Sequence, residues 1–311
     1  MPQPLHVTGP AGSSPDHAGP QLFWSRESLS SPDAALALPA DVVRYWTARH
    51  VVITGGTSGI GLAVTELALS AGARVSVLAL EDAGLERLSA VAAVEPRLAV
   101  FAADVTDKGQ VDAAVAKART HHGDIGAVIA CAGIARPDYF DRLTDADFVR
   151  HMAVNYFGAL HVIQPSLSDL RGGERGSITV ISSLAAVLPC FGYGAYSPSK
   201  SAVRTLCEVL RQELKPQGVT VTVVMPPDVD TPQLAAESAT KPAELRALSS
   251  SAPLTANAVA EALLVGAARG RASVVPTWSD RLMHWLAGVA PGLLAWIMDR
   301  TIARVQRRNL R

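Results

Sequence analysis

Excess charge is missing from this 311-residue chain: 28 basic side chains meet 28 acidic ones. With no net field there is no long-range attraction for a polyanion, which argues against a nucleic-acid partner. Cysteine is scarce as well. Cys131, Cys190 and Cys207 have no C-x-x-C spacing and no histidine cluster beside them. This excludes a disulfide framework and a thiolate metal site, and agrees with a reducing, cytoplasmic compartment. No apolar run follows a basic N-terminal start, so no secretory signal peptide is expected. Charged residues make up only 18%, below the roughly 25% usual for soluble domains, and mean hydropathy is positive. Some apolar surface is therefore expected to meet something other than water.

What is present falls into three stretches. Residues 1–45 read as a poorly ordered leader, because residues 1–40 hold seven prolines and six serines without any helical or strand period. Residues 46–275 alternate apolar runs with longer helical patterns. The runs His50–Thr54, Arg74–Ala79, Leu98–Ala102, Ala127–Ala130, Ser177–Ile181 and Val219–Met225, with a weaker one at Ala272–Val275, are nearly unbroken Val/Ile/Leu/Ala. Strands covered on both faces have that texture. Helical patterns at Gly59–Ala71, Lys108–His121, Asp145–Leu170 and Tyr196–Lys215 separate them. The alternation predicts an α/β fold, a Rossmann-type doubly wound parallel sheet in three α/β/α layers. Residues 276–311 form an apolar, then basic, helical tail.

The first strand runs into Thr54-Gly55-Gly56-Thr57-Ser58-Gly59-Ile60-Gly61. Glycines let the backbone turn sharply and approach a pyrophosphate, while a helix opening at Gly59 offers free N–H groups to that anion. A ribose-reading residue would fall at the end of the second strand, at Ala79. No acid stands there to reject a 2′-phosphate, and no Arg follows to grip one, so the reading leans to NADP(H) over NAD(H). Asp104, before Val105, has two readings: an acceptor for the adenine amino group, or an acid at a helix start. Ala132 and Gly133 close the fourth strand with small residues that let backbone pass near the adenosine ribose.

Tyr196 and Lys200 are four apart, on one face of a helix, in a chain with five lysines. A cation beside a phenol favours phenolate, drawing the phenol towards the working range of a general acid. Ser183 ends a buried strand upstream, and Asn155 lies in the preceding long helix. These features together resemble the short-chain dehydrogenase/reductase family over about residues 49–275. The family's T-G-x-x-x-G-I-G matches residues 54–61. Its N-x-A-G falls on Ala130-Cys131-Ala132-Gly133, with the asparagine replaced by Ala130. Its active-site Asn, Ser, Tyr and Lys fall on Asn155, Ser183, Tyr196 and Lys200. The resemblance implies that Tyr196 protonates a carbonyl oxygen as hydride arrives, and that Lys200 holds the ribose hydroxyls and acidifies the phenol. It further implies that Ser183 bonds the substrate oxygen, that Asn155 supports a proton-relaying water, and that subunits pair into a homo-oligomer.

After the sixth strand, Pro226-Pro227-Asp228-Val229-Asp230-Thr231-Pro232 and the later Lys241-Pro242 resemble, within that family, the 3-ketodihydrosphingosine reductases. Pro226 and Thr231 would then lie over the nicotinamide, with Thr231 at its carboxamide. The tail gives a separate argument. Leu282–Met298 carries no Lys, Arg, Asp or Glu, is broken by Gly288, Pro291 and Gly292, and is accompanied by Trp278, Trp285 and Trp296. It is shorter than the ~20 residues that cross a bilayer and suits either a peripheral place on a membrane face or a helix covering the substrate pocket or a subunit interface. The function expected is reduction of a lipophilic ketone: the sphingoid base 3-ketone, or alternatively another hydrophobic ketone such as a steroid or polyketide. A cofactor-binding scaffold without turnover is the reading from a different class.

Overall fold

The computed structural model describes residues 38–249 and 252–309; most of the expected leader, residues 1–37, lies outside them. The described chain runs α1 (Ala40–Trp46), β1 (His50–Thr54), α2 (Gly59–Ser70), β2 (Arg74–Ala79), α3 (Ala83–Ala92), β3 (Leu98–Ala102), α4 (Lys108–His122) and β4 (Ala127–Ala130). It continues through α5 (Asp145–Met152), a π-helical turn (Ala153–Phe157), α6 (Gly158–Gly172), β5 (Ser177–Ile181), α7 (Tyr196–Leu214) and β6 (Thr220–Val224). Then come β7 (Val229–Asp230), α8 (Pro232–Glu237), α9 (Ala243–Leu248), β8 (Leu254–Thr255), α10 (Ala256–Ala268), β9 (Ser273–Val274), α11 (Trp278–Val289) and α12 (Pro291–Asn309).

The seven-stranded sheet has the order β3-β2-β1-β4-β5-β6-β9 and every pairing is parallel. The unbroken apolar runs have the cause expected. Successive residues of β1 serve opposite cores: Val51 and Ile53 pack with α2 and α10 on one side, while Val52 packs with α4, α6 and α7 on the other. β1 lies between β2 and β4, so the chain leaves the middle of the sheet in both directions. The loops after β1 and β4 therefore diverge and leave a crevice at the carboxyl ends of the strands. The site is in that crevice.

Two boundaries differ from expectation. The ordered domain begins before residue 46. Leu38, Val42 and Trp46 are core residues, and the Trp46 indole N–H donates to Leu264 O at 3.2 Å. A seven-residue helix is too short to show a period in sequence. The expected single helix over Asp145–Leu170 is α5 and α6 joined by the π-helical turn, which carries Asn155 at 2% exposure. The extra residue in that turn re-aims the side chain. The tail is α11 and α12, bent by 113° where they meet. Among the described residues no single helix is long and apolar enough to cross a membrane.

Candidate active site

The glycine turn is held by contacts that no side chain could share. Gly55 and Gly59 have φ of +67° and +51°, and a Cβ on Gly61 would fall 2.1 Å from Gly55 O. Ser58, at the cap of α2, makes no side-chain capping bond, and the first turn has no acidic residue. The amino end of α2 thus faces the crevice with its N–H groups unshared, an arrangement that fits a pyrophosphate. Thr54 stands behind the turn, buried, its Oγ1 accepting from Ala132 N at 3.2 Å. That bond ties the two diverging loops together.

A cavity of about 650 Å³ begins at this turn and runs past Ser183, Tyr196 and Lys200. Gly55, Ser58, Gly59, Ile60, Gly61, Ala132, Gly133, Pro226 and Thr231 all line it. A mainly apolar wall comes from α9, α11 and α12, with Leu245, Met283, Leu294, Ile297 and Met298 beside the polar Ser279, Asp280 and Thr301. The inner face of the tail thus lines this cavity.

Tyr196 and Lys200 share the buried face of α7, as the spacing predicts. Ser182 Oγ donates to Lys200 O at 2.8 Å, and Lys200 Nζ donates to Ile181 O at 3.0 Å, fastening α7 to the end of β5. Ser183 caps the turn after β5, its Oγ accepting from Ala185 N at 3.1 Å. Asn155 does not line the cavity. It braces it: Oδ1 accepts from Ile134 N at 2.9 Å, and Nδ2 donates to Ile134 O at 3.0 Å and Ser199 Oγ at 2.9 Å. The loop after β4 is thereby fixed against α7. Gly133 is forced by the same packing, since a Cβ there would stand 3.1 Å from Lys200 Nζ and 3.2 Å from Asn155 Oδ1.

The expected acidification of the phenol by the ammonium is not what this arrangement produces. Burial pushes the Tyr196 phenol up and the carboxylates of Glu237 and Asp228 add to that, while the Ser183 hydroxyl beside it pulls the other way. Burial likewise pushes the Lys200 ammonium down to about 8. The ammonium is 5.8 Å from the ring centroid and bonded to a carbonyl, so the cost of holding either charge away from water outweighs their attraction. At neutral pH the phenol keeps its proton, as a proton donor must.

Asp104 and Val105 do not line the cavity. Asp104 Oδ1 accepts from Thr106 N and Thr106 Oγ1, both at 2.8 Å, which places Asp104 in a turn that precedes the true cap of α4, Asp107. Val105 packs against Gly158 and its carbonyl accepts from His161 Nδ1 at 2.8 Å. At the ribose position, Ala79 is buried and Leu80 exposed; the exposed Glu81 follows, and Asp82 Oδ1 caps α3 through Gly84 N and Leu85 N. Ala130, where the family pattern has Asn, is simply a buried strand residue.

Sequence reasoning missed several neighbours of Tyr196. The Tyr193 ring lies 4.9 Å from that of Tyr196, and its hydroxyl donates to Glu237 Oε2 at 2.9 Å. His151 stands 6.5 Å away on the other side, buried, with Nδ1–H donated to Asp147 O at 2.7 Å and Nε2 accepting from Arg136 N at 3.1 Å. Burial pushes this imidazole down, so it is neutral. Cys131 lines the cavity too, but burial pushes its thiol up to about 12 and leaves it unreactive. No local pattern announces Tyr193 or His151, whereas Cys131 stands in the small-residue run that closes the fourth strand.

A family model described as short chain dehydrogenase matches residues 49–242. The 3-ketodihydrosphingosine reductase of Bos taurus is 35% identical over 236 residues, covering 73% of this chain and 68% of that one. A 3-dehydrosphinganine reductase of Arabidopsis thaliana is 36% identical over 233 residues, 73% and 69% of the two chains. In fold, the chain is similar to a short chain dehydrogenase/reductase from Burkholderia phymatum in complex with NAD, with a TM-score of 0.72 at 22% identity over 80% of this chain and 95% of that one. It is also similar to a 3-ketoacyl-(acyl-carrier-protein) reductase from Brucella melitensis complexed with NADH, at TM-score 0.66 and 22% identity over 74% and 97%.

Proposed function

Because this chain belongs to the short-chain dehydrogenase family, we propose that it reduces a long-chain ketone with a nicotinamide cofactor, and that the ketone is 3-ketodihydrosphingosine, reduced to dihydrosphingosine. One observation carries the reading: a single cavity joins the glycine turn, the Ser183/Tyr196/Lys200 group and the apolar wall of the tail. The names of the relatives supply the sphingoid ketone.

In this reading the substrate oxygen lies between the Tyr196 and Ser183 hydroxyls. Ser183 donates a hydrogen bond to it, and Tyr196 transfers its proton as charge develops there. When bound, the reduced nicotinamide supplies the hydride. Lys200 would hold the ribose hydroxyls, close to the Gly133 backbone. Asn155 keeps that geometry and supports the water through which the proton is replaced. Thr231, against Gly59, would meet the carboxamide. No acid stands at Ala79 itself and Asp82 is committed to its cap, with the exposed Glu81 between them; in this reading NADPH is the preferred cofactor.

A panel of ketones run with NADPH and with NADH tests this. The expected result is oxidation of NADPH with 3-ketodihydrosphingosine and higher kcat/KM with NADPH than with NADH. Turnover of steroid or polyketide ketones but not of the sphingoid ketone would overturn the substrate.

The outer face of the tail belongs to the same reading. Trp278, Trp285, Val289, Leu293 and Trp296 are each more than half exposed, and Arg300 stacks at 4.2 Å on Trp296. Arg304, Arg307 and Arg308 follow. An apolar face rimmed by arginines suits the surface of an anionic bilayer, from which a lipophilic ketone could enter past Met283 and Ile297. Cosedimentation with vesicles of phosphatidylcholine containing a third phosphatidylserine should retain the protein, with a blue shift of tryptophan fluorescence. Equal, weak retention on neutral and anionic vesicles would contradict it.

A further inference from the structure

Glu237 is a carboxylate at 6% exposure that lines the cavity. Its Oε2 accepts from the Tyr193 hydroxyl at 2.9 Å and its Oε1 from Gln233 Nε2 at 3.0 Å. Both donors are neutral. Lys241 eases the charge only from a distance, because its ammonium is committed to Asp228 Oδ2 at 2.9 Å. A carboxylate kept out of water without a cation in contact is costly, and in a cleft it marks a place where a ligand can complete the pair.

Its position says which part of a ligand. The carboxylate is bonded to Tyr193, whose ring is packed at 4.9 Å on that of Tyr196. It is also near enough to Tyr196 to help push that phenol up. A substrate whose ketone oxygen is held at Tyr196 would thus have Glu237 among the cavity groups near its reacting end. Leu294, Ile297 and Met298 of α12 line the same cavity as an apolar patch, with Ser279, Asp280 and Thr301 as the polar part of the tail's lining. The cavity thus holds a buried acid beside the Tyr193/Tyr196 pair and an apolar patch on the tail.

We propose that Glu237 is a substrate-binding residue that pairs with an ammonium on the carbon next to the ketone, so that the enzyme selects long-chain α-amino ketones over long-chain ketones in general. This rests on the proposed site of reduction at Tyr196. 3-Ketodihydrosphingosine carries such an ammonium, and its alkyl chain leaves the ketone on the other side. Pairing has a second consequence. A cation on Glu237 cancels one of the charges that oppose loss of the Tyr196 proton, so selection shows in kcat as well as in KM.

The test compares 3-ketodihydrosphingosine with the 1-hydroxy-3-ketone of the same chain length that lacks the amino group, at saturating NADPH, using the full chain. Wild type is expected to favour the amino ketone by at least about 100-fold in kcat/KM, because a site built for a polar group rejects an analogue lacking it. Glu237→Gln should lose most of that preference, its kcat/KM falling far more on the amino ketone than on the des-amino ketone. Glu237→Asp should retain a preference. Equal use of the two ketones by wild type would overturn the inference without recourse to any variant. So would a Glu237→Gln variant slowed by the same factor on both ketones, which is what a purely structural Tyr193–Glu237 bond predicts. Turnover of neither ketone overturns the proposed function itself, a distinguishable result.

Discussion

Tyr196→Phe will reduce ketone turnover by about three orders of magnitude, within the range for removing a positioned general acid, while the affinity for NADPH stays within about twofold. The substitution deletes one oxygen. The ring keeps its packing against Tyr193 at 4.9 Å and His151 at 6.5 Å, and the glycine turn, Lys200 and Gly133 keep their places. Ser183 can still bond the ketone oxygen, so substrate binding weakens little and the loss falls on kcat. Since burial already keeps the wild-type phenol protonated, no charge is lost from the interior and folding should be unaffected. Single-turnover kinetics with prebound NADPH, beside a fluorescence titration of the cofactor, separates the two quantities. Turnover at the wild-type rate would remove Tyr196 from the chemistry.

Lys200→Met should produce an inactive protein that is more stable than wild type near neutral pH. The buried ammonium has its pKa lowered from 10.5 to about 8. Between those values the unfolded chain binds more protons than the folded one, so wild-type stability rises with pH across that window and carries the full cost below it. A lowering of that size corresponds to about 3 kcal/mol. Methionine avoids this cost but leaves Ile181 O without its donor at 3.0 Å, a loss of about 1 kcal/mol. The net expectation is a gain of about 2 kcal/mol at pH 7 that shrinks as pH approaches 10. Urea unfolding of the cofactor-free protein at pH 7 and at pH 10 checks the sign. A variant less stable than wild type at pH 7 would mean that the ammonium is not held at a cost. A residue that lowers stability and is needed for turnover is the trade expected at a working site.

The central sheet was legible because parallel strands buried on both faces leave continuous apolar runs, and each of the seven falls within a residue or two of its expected place. β9 was fainter because only Ser273 and Val274 pair. The glycine turn and the Tyr196/Lys200 spacing were legible because local backbone geometry and helical repeat dictate them. What escaped notice depends on partners distant in the chain. Trp46 is core only because Leu264 O lies above it. The π-helical turn at Asn155 is one residue of surplus inside an otherwise regular helix. Glu237 looks like any surface acid of a short helix until Tyr193 is brought against it. Asp104 offered two readings because an acid before a helix start caps, turns or binds equally well; here it accepts from Thr106 in a turn. The phenol's acidity was misjudged for a related reason. Spacing reveals the neighbouring charge, whereas the opposing effect of burial is visible only once the interior is assembled.

The most direct test is to follow an isotope. NADPH carrying deuterium at both hydrogens of the reactive nicotinamide carbon is incubated with the wild-type protein and 3-ketodihydrosphingosine, and the product is read by mass spectrometry. The account predicts dihydrosphingosine with one deuterium on the carbon that bore the ketone, formed by wild type and all but absent with Tyr196→Phe. Product without deuterium, or no dihydrosphingosine from wild type, would contradict it.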